Sequence, residues 1–184
     1  LMVEVMNLSN NDILQDVLQP NLKLIICGTA VAEHSAKLGS YYAGENNMFW
    51  RILYETGLTD RLLHTSEYLE LLRYGIGLTD VAKKAAGVDA KISQKDYDLD
   101  AFTQKMALFR PKIICFNGKA SAALFFSWHY KRKLKTDKIT YGLHQMKDDK
   151  FSIFVAPSTS GAAKRHWEPD YWHQLACLVN QTQI

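Results

Sequence analysis

Two short apolar runs of the sequence end in residues that could bind a nucleobase or a phosphodiester. Asn117-Gly118 ends one run, and an asparagine side chain presents both a donor and an acceptor to the edge of a planar amide ring. Ser158-Thr159-Ser160-Gly161 lies just beyond another run, where small residues let a phosphodiester approach the backbone closely. Each pattern also has an ordinary structural interpretation, with Asn117 as a turn or helix cap and the serine-rich stretch as a capped loop.

Basic residues follow the serine-rich stretch and are concentrated in the same half of the chain. Lys164, Arg165 and His166 come directly after it. Residues 1–92 carry 8 basic and 11 acidic groups, whereas residues 93–184 carry 14 basic and 8 acidic groups, which gives the C-terminal half a net charge of +6. This charge permits a polyanionic partner, although solubility alone would also account for it.

Further polar and aromatic residues follow the first apolar run of the chain. Gly28-Thr29 ends that run and His34 comes soon after, but the glycine spacing fits neither a dinucleotide fingerprint nor a phosphate loop. Tyr42 then precedes a polar turn, and Asn47 stands where a helix begins. Tyr42 could form an aromatic platform, and Asn47 either lies in the same pocket or simply caps the helix. His34 alone is equally typical of an ordinary loop.

The elements that must position these residues alternate between strands and helices. Strand-like apolar runs lie at 22–27, 76–81, 113–116 and 153–156, and helical spacing of apolar residues occurs at 47–56, 66–73, 98–109, 119–130 and 171–180. This alternation predicts a three-layer α/β/α domain with a central four-stranded, mostly parallel sheet. Such sheets bind ligands at the carboxyl ends of their strands, which here are expected at Gly28, Asp80, Asn117 and Ser158.

Length and composition exclude several classes of protein. The 184 residues are 47% apolar and 22% charged with a net charge of +3, which predicts one globular domain over residues 1–184. This composition excludes a wholly disordered chain and a membrane span, and no secretory signal is recognised at the N terminus. Three isolated cysteines, Cys27, Cys115 and Cys177, predict reduced thiols in a cytoplasmic protein without a structural zinc or iron–sulfur site.

Several of these motifs occur together in one known family. Tyr41-Tyr42-Ala43 is followed by Asn47-x-Phe49-Trp50, and the stretches 53–59, 75–81, 117–119 and 157–160 come after it in the expected order. Over residues 22–167 the chain resembles the uracil-DNA glycosylase superfamily, on the side of the mismatch-specific (G:U/T) and the hypoxanthine-DNA glycosylases. The resemblance implies a glycosylase that flips uracil out of DNA and hydrolyses its N-glycosidic bond, which initiates base excision repair. The alternatives are hypoxanthine or xanthine as the base, or a catalytically impaired DNA-binding relative.

Two positions depart from the mismatch-specific pattern. Ala30 stands where those enzymes have the asparagine that positions the attacking water, and Ala156 precedes Pro157 where most relatives have histidine or asparagine. The hypoxanthine-DNA glycosylases also lack the first asparagine, and they resemble this chain at Asn47 and Asn117. The resemblance therefore implies an altered site in which a polar group other than residue 30 activates the water.

The resemblance also implies catalytic roles. Asp80 is ranked first for water activation, because an ionised carboxylate can both accept a proton and stabilise the developing sugar cation. The alternative role for Asp80 is to cap a helix that follows the strand. Asn47 is ranked next, as a group that orients the water, and His34 would polarise a base oxygen.

Binding roles complete the expectations. Tyr42 would stack on the flipped base. The edge of the base would form hydrogen bonds with Asn117 or with the backbone amides of Gly28 and Thr29. The residues expected to contact the DNA backbone are Ser158, Thr159, Ser160, Lys164 and Arg165. The protein is expected to act as a monomer on DNA, without a metal, an organic cofactor or a membrane partner.

Overall fold

A computed structural model describes residues 12–88, 92–146 and 151–181. In these ranges the chain forms one five-stranded sheet with the spatial order β2-β1-β3-β5-β4. The strands are β1 (Leu24–Val31), β2 (Ile76–Ala86), β3 (Ile113–Asn117), β4 (Gly142–His144) and β5 (Ser152–Ala156). All neighbouring pairs are parallel except β4 with β5. The predicted α/β fold with a mostly parallel sheet is confirmed, but the predicted count of four strands is wrong because β4 adds a fifth.

Helices cover both faces of this sheet. The α-helices are α1 (Glu33–Leu38), α2 (Phe49–Glu55), α3 (Leu99–Phe109), α4 (Lys119–His129) and α5 (Pro169–Gln181). The 3₁₀ helices lie at Thr65–Tyr74, Gln94–Asp96, Thr136–Lys138 and Gly161–His166. The segment 66–73 is thus helical as predicted, but it is a 3₁₀ helix. Its cap is His64 rather than Ser66, because the Ser66 amide donates to His64 Nδ1 at 3.3 Å.

The parallel strands are buried on both faces, which explains their nearly continuous apolar runs. Alternate strand residues enter two separate hydrophobic cores. The first core lies against α2 and α5, and its strand residues are Leu24, Ile26, Val31, Ile76, Leu78, Ile113, Cys115, Phe154 and Ala156. The second lies against α3 and α4, and its strand residues are Ile25, Cys27, Val81, Ile114, Phe116, Ile153 and Val155.

Two strands run further than the sequence predicts. β1 continues past Gly28 to Val31, and β2 continues past Val81 to Ala86. The predicted strand ends at Gly28 and Asp80 are therefore wrong, since both residues lie inside paired strands and face each other in register. The pairing becomes irregular only beyond Ala30, where the register of β1 with β2 shifts.

The segment that precedes β1 crosses the outer edge of β2. Val17 and Leu78 exchange both backbone hydrogen bonds, each 2.9 Å long, in an antiparallel bridge. The Ile13 amide also donates to the Lys83 carbonyl at 3.0 Å. Gly77 makes this close crossing possible, because a Cβ at that position would lie 2.6 Å from the Val17 carbonyl oxygen.

The cysteines agree in part with the expected buried thiols. Cys27 and Cys115 are free and buried in β1 and β3, whereas Cys177 is free and exposed on α5. None of the helices in the described ranges has the length and apolar character needed to cross a bilayer. The first eleven residues, where no secretory signal is predicted, lie outside the described ranges, as do parts of the predicted domain 1–184.

Candidate active site

Asp80 lies directly against the backbone of β1. Gly28 and Asp80 are register partners, and a Cβ built on Gly28 would lie 2.5 Å from Asp80 Oδ1. The same Cβ position is 3.7 Å from the Tyr42 hydroxyl. A glycine at position 28 therefore makes the room in which the Asp80 carboxylate and the Tyr42 hydroxyl come together.

The Asp80 carboxylate is buried with an unused oxygen. The residue is 3% exposed, and Oδ2 has no hydrogen-bond partner among the described residues. Burial raises the pKa of Asp80 to about 6; the Lys83 cation opposes this rise and the Asp16 carboxylate adds to it. A carboxyl group that is half ionised near pH 6 and keeps a free acceptor is suited to proton transfer. The alternative of a helix cap is wrong for Asp80, because it lies within β2.

Tyr42 forms an aromatic wall next to this carboxylate. Its ring stacks on Phe49 with the centroids 3.8 Å apart and the planes inclined by 19°. The ring is half-buried, while the hydroxyl is buried without a hydrogen-bond partner in the described chain. Burial, and then the nearby Asp80 carboxylate, raise the pKa of Tyr42 well above its ordinary value. Tyr42 also has a φ of +53°, in the left-handed region that residues other than glycine rarely adopt.

A buried ionic network adjoins Asp80. Asp16 pairs with Lys83 at 2.9 Å and with Lys105, and it accepts a hydrogen bond from Thr79 Oγ1 at 2.7 Å. Although burial opposes ionisation of Asp16, the two lysines lower its pKa below the usual value. Lys83 Nζ also donates to the Tyr41 hydroxyl at 3.0 Å. This network keeps a cation close to Asp80.

Local sequence patterns give little indication of this network. Lys83 sits inside an apolar strand, and a lysine at such a position is the one local signal of a buried charge partner. The partner Asp16 is 67 positions away in a segment without a recognisable motif, so the sequence alone does not pair the two residues.

Asn117 joins the end of β3 to the loop after β5 through two hydrogen bonds. Its Nδ2 donates to Thr159 Oγ1 at 2.9 Å, and its Oδ1 accepts from the Thr159 amide at 3.0 Å. The Thr159 carbonyl in turn accepts from the Met48 amide at 2.9 Å, just before α2. Asn117 is half-buried, and it keeps one amide hydrogen and one lone pair of Oδ1 for another partner.

Asn47 closes the start of α2. Its Oδ1 accepts from the Phe49 amide at 3.0 Å, a bond made one residue before Met48, which is the N-cap of the helix. Because Phe49 also stacks on Tyr42, this bond fixes the backbone beneath the aromatic wall. The neighbouring Asn46 packs on Gly161, where a Cβ would lie 2.8 Å from the Asn46 Cβ. Asn47 therefore lies between the aromatic wall and the serine-rich loop.

Two of the predicted residues lie apart from the Asp80–Tyr42 pair. His34 is exposed on α1, and no contact joins it to Asp80 or Tyr42. Thr29 is buried and follows Gly28 in β1, so its side chain faces the opposite side of the sheet. There Thr29 lines a cavity of about 630 Å³ together with Lys133 and Lys135.

The predicted DNA-contacting residues differ in exposure. Ser160, Lys164 and Arg165 are exposed, and Ser160 Oγ caps the 3₁₀ turn by accepting from the Ala162 amide at 3.3 Å. Ser158 is half-buried and accepts from the Ser160 amide at 3.3 Å. Thr159 is 1% exposed and is held by Asn117, so its side chain has a structural role in the loop instead of a direct contact with DNA.

Comparison with known families agrees with this arrangement. The model of the uracil DNA glycosylase superfamily matches residues 15–178, nearly the whole described chain. The chain belongs to the uracil DNA glycosylase superfamily. The resemblance predicted from the sequence is thereby confirmed. Members of the superfamily are DNA glycosylases, which are hydrolases of DNA repair, and DNA is the partner that membership supports.

A solved structure supports the fold of this superfamily member. The chain is similar to the solution NMR structure of a candidate uracil DNA glycosylase from Methanosarcina acetivorans, with 22% sequence identity and a TM-score of 0.60. The match covers 91% of this chain and 96% of that chain. The two proteins therefore share their fold over nearly their full lengths.

Gly28→Ala should destabilise the protein and disturb the site at once. The new Cβ would meet a carboxylate oxygen that the close packing around Asp80 leaves little room to move, so we expect a loss of about 1–3 kcal/mol in the free energy of unfolding. Gly44→Ala is the matched control, because its Cβ would meet only the Asn47 Cβ at 4.0 Å. Chemical denaturation measures both. Shortening residue 80 in Gly28→Ala/Asp80→Ala should restore much of the loss, and equal stabilities of Gly28→Ala and Gly44→Ala would contradict the close contact.

Proposed function

We propose that the protein hydrolyses the N-glycosidic bond of uracil, the product of cytosine deamination, in DNA. The observation that carries this proposal is the buried Asp80 carboxylate, held against Gly28 and next to the Tyr42–Phe49 stack with one oxygen unused. Such a group has the properties required of a base that activates water in a pocket for a planar leaving group. The reaction is thus hydrolysis by a positioned water, with no metal or organic cofactor involved.

The reaction has three physical requirements. The target nucleotide must leave the base stack, because its anomeric carbon is inaccessible within a duplex. The departing base must be stabilised as an anion by donors to its carbonyl oxygens. The cationic sugar that develops must meet a water and a nearby negative charge. Ionised Asp80 would supply the charge and accept a proton from the water as the new C–O bond forms and the C–N bond breaks.

Recognition of the base falls to the aromatic wall and to donors around it. Tyr42 would stack on the flipped base, since base–aromatic stacking tolerates any base and contributes about 1–3 kcal/mol. The free amide hydrogen and lone pair of Asn117 match the adjacent carbonyl and imino groups of a deaminated base. The amides of Gly28 and Thr29 are further candidates for this role. His34, exposed on α1, would serve a base oxygen only if α1 approaches the bound DNA.

Asn47 is the second candidate for orienting the water. Its Oδ1 accepts from the Phe49 amide, which leaves the second lone pair of Oδ1 and the Nδ2 hydrogens to hold a water. An amide can only orient the water, whereas a carboxylate can also take its proton, and this keeps Asp80 first. The match of Asn47 to the hypoxanthine-DNA glycosylase pattern favours hypoxanthine as the second candidate base.

Release of bases from defined duplexes tests the proposal. Oligonucleotides with a single uracil, hypoxanthine or xanthine would be incubated with excess protein, and the abasic product would be cleaved with alkali and measured. We expect uracil to be released fastest, with undamaged cytosine and adenine as controls. Faster release of hypoxanthine or xanthine would change the assigned base. Binding without release of any base would mean a non-catalytic relative.

The loop that carries Lys164 and Arg165 would bind the DNA backbone. Both side chains are exposed and make no ion pair within the described ranges, so they are available to phosphates. Replacing both with alanine should weaken binding and reduce the salt slope of log K by about two units. Fluorescence anisotropy with an undamaged duplex at several salt concentrations measures this slope.

A matched control removes the same charge elsewhere. Arg73 and Lys112 are exposed at the amino ends of β2 and β3, opposite the carboxyl edge of the sheet. Arg73→Ala/Lys112→Ala should leave the slope nearly unchanged. Equal slopes for the two double variants would place Lys164 and Arg165 away from the duplex.

A further inference from the structure

A second cluster of basic residues follows α4. Five cations lie within the eight residues 131–138, where Asp137 is the only acidic residue. All five are exposed, and they are Lys131, Arg132, Lys133, Lys135 and Lys138. We call this stretch the 131–138 segment. It carries more cations than the loop at 164–166, and it lies outside the motifs that resemble the glycosylase superfamily.

Hydrogen bonds and packing hold the 131–138 segment on α4. The Arg132 amide donates to the Ser127 carbonyl at 3.1 Å, and the Leu134 amide donates to Ser127 Oγ at 2.9 Å. Leu134 packs on the second core, and Ile139, at the end of the segment, is buried in it. The backbone therefore presents its charges at defined positions, which lowers the conformational entropy lost when a ligand binds.

The segment runs back along α4 to the carboxyl-terminal part of β1. Ser127 lies in the last turn of α4, whereas Ala120 lies in its first turn. Ala120, Thr29, Lys133 and Lys135 line the same cavity of about 630 Å³. Lys133 and Lys135 thus share a cavity with Thr29, the residue after Gly28, and Asp137 of the same segment also lines it.

The two basic clusters lie on opposite faces of the sheet. Trp167, which directly follows the Lys164–Arg165 turn, packs on the first core, and Leu134 packs on the second. Gly161 in the same turn contacts Asn46, which precedes α2 on the first face. The strand positions Gly28 and Asp80 lie between the clusters. A duplex bound across this edge of the sheet would meet cations on both sides of the candidate site.

We propose that the 131–138 segment is a second phosphate-binding surface for DNA, with Lys133 and Lys135 as its contacts nearest the site. The inference rests on the proposed function for the position of the duplex. Two positive surfaces that flank one site would hold the backbone on both sides of a flipped nucleotide, where the distorted duplex must be restrained. The ligand chemistry is the phosphodiester of a nucleic acid strand, bound without regard to base sequence.

Binding of an undamaged duplex tests this surface independently of catalysis. Lys133→Ala/Lys135→Ala should weaken binding roughly tenfold or more at ~0.1 M salt and lower the salt slope by about two units. Arg73→Ala/Lys112→Ala is again the charge-matched control. Because all the replaced side chains are exposed, the variants should fold, and their circular dichroism and melting curves would verify this. An unchanged slope, or a change no larger than that of the control, would overturn the proposal.

A variant that lacks the cations of both clusters tests whether the two clusters contact different phosphates. If they contact different phosphates, the variant lacking Lys133, Lys135, Lys164 and Arg165 should lose about four units of slope. A loss of only two units would mean that one surface alone touches the duplex, and would overturn the proposal. Uracil release by the wild-type protein is judged separately. A reduced slope without any release would leave the DNA surface standing and remove the proposed enzymatic function.

Discussion

Asp80→Asn should slow uracil release by about 10²–10⁴-fold, which is the usual loss when a general base is removed. The amide keeps the shape of the side chain next to Gly28 but cannot accept the proton of water. The measurement is single-turnover release with excess protein, so that DNA affinity does not limit the rate. Asn47→Ala and His34→Ala, measured in parallel, rank the other two candidates. Rates near wild type in all three variants would mean that the water is held by the backbone or by another residue.

The same substitution should make the folded protein more stable at neutral pH. The pKa of Asp80 is about 6 in the folded protein against 3.8 for an unperturbed aspartate, so the folded state binds the proton more tightly than the unfolded state. Below about pH 4 both states are protonated. Between about pH 4 and pH 6 the unfolded state ionises while the folded state keeps its proton, so the wild type loses stability, and this loss levels off above about pH 6. At 1.4 kcal/mol per pKa unit, the loss amounts to about 3 kcal/mol above pH 7, and Asp80→Asn would avoid it.

Two pH profiles check this prediction. Urea unfolding of Asp80→Asn and of the wild type should coincide near pH 4 and separate as the pH rises to 8, with the variant more stable. Asp137→Asn, which replaces an exposed carboxylate, is the control for the loss of one negative charge. Release by the wild type should increase about tenfold per pH unit below the pKa and level off above it. A rate that falls as pH rises through 6 would instead assign Asp80 as a proton donor.

Tyr42→Ala should slow base release by about 5- to 150-fold, the equivalent of the 1–3 kcal/mol that one base–aromatic stack contributes. The half-buried ring is packed on Phe49, so its loss removes the wall while most of the core remains. Single-turnover release and a thermal melt would be measured on the same preparation. A melting temperature reduced in proportion to activity would indicate that Tyr42 acts only through folding.

Tyr42→Gly is the matched variant that separates the ring from the backbone. Both variants lack the ring, but glycine adopts a φ of +53° without the strain of an alanine. Tyr42→Gly should therefore be more stable than Tyr42→Ala by about 1 kcal/mol, with equally slow release. Recovery of activity in Tyr42→Gly would attribute the defect to backbone strain and remove the ring from the proposed pocket.

Local sequence patterns predict most of the elements and few of the contacts in the site. The apolar runs of β1, β3 and β5 are visible because parallel strands are buried on both faces. β4 is missed because three residues, one of them exposed, carry no periodicity. The extensions of β1 and β2 are missed because Gly28 and Asp80 are typical of strand ends, and only their pairing with each other retains them inside the sheet.

The candidate residues are found by type, but their partners are not. Asn117 is recognisable as an amide at a strand end, yet its bonds to Thr159 join positions 42 residues apart and depend on the order of β3 and β5. The prediction that Thr159 contacts DNA assumes that all residues of the serine-rich stretch are equally exposed. In the turn after Pro157, Ser158 is instead half-buried, Thr159 is buried and Ser160 is exposed. The exposure of each residue in this stretch depends on the geometry of the turn, which cannot be predicted from the local sequence.

The antiparallel bridge of Val17 with Leu78 has a consequence for association between copies of the chain. β2 is an outermost strand of eleven residues, and an uncovered strand edge of that length offers amides and carbonyls to the strands of other molecules. The segment before β1 occupies part of this edge and adds buried charge beside it at Asp16 and Lys83. Detachment of this segment would break the Asp16–Lys83 ion pair next to Asp80 and expose the edge of β2 as a template for aggregation.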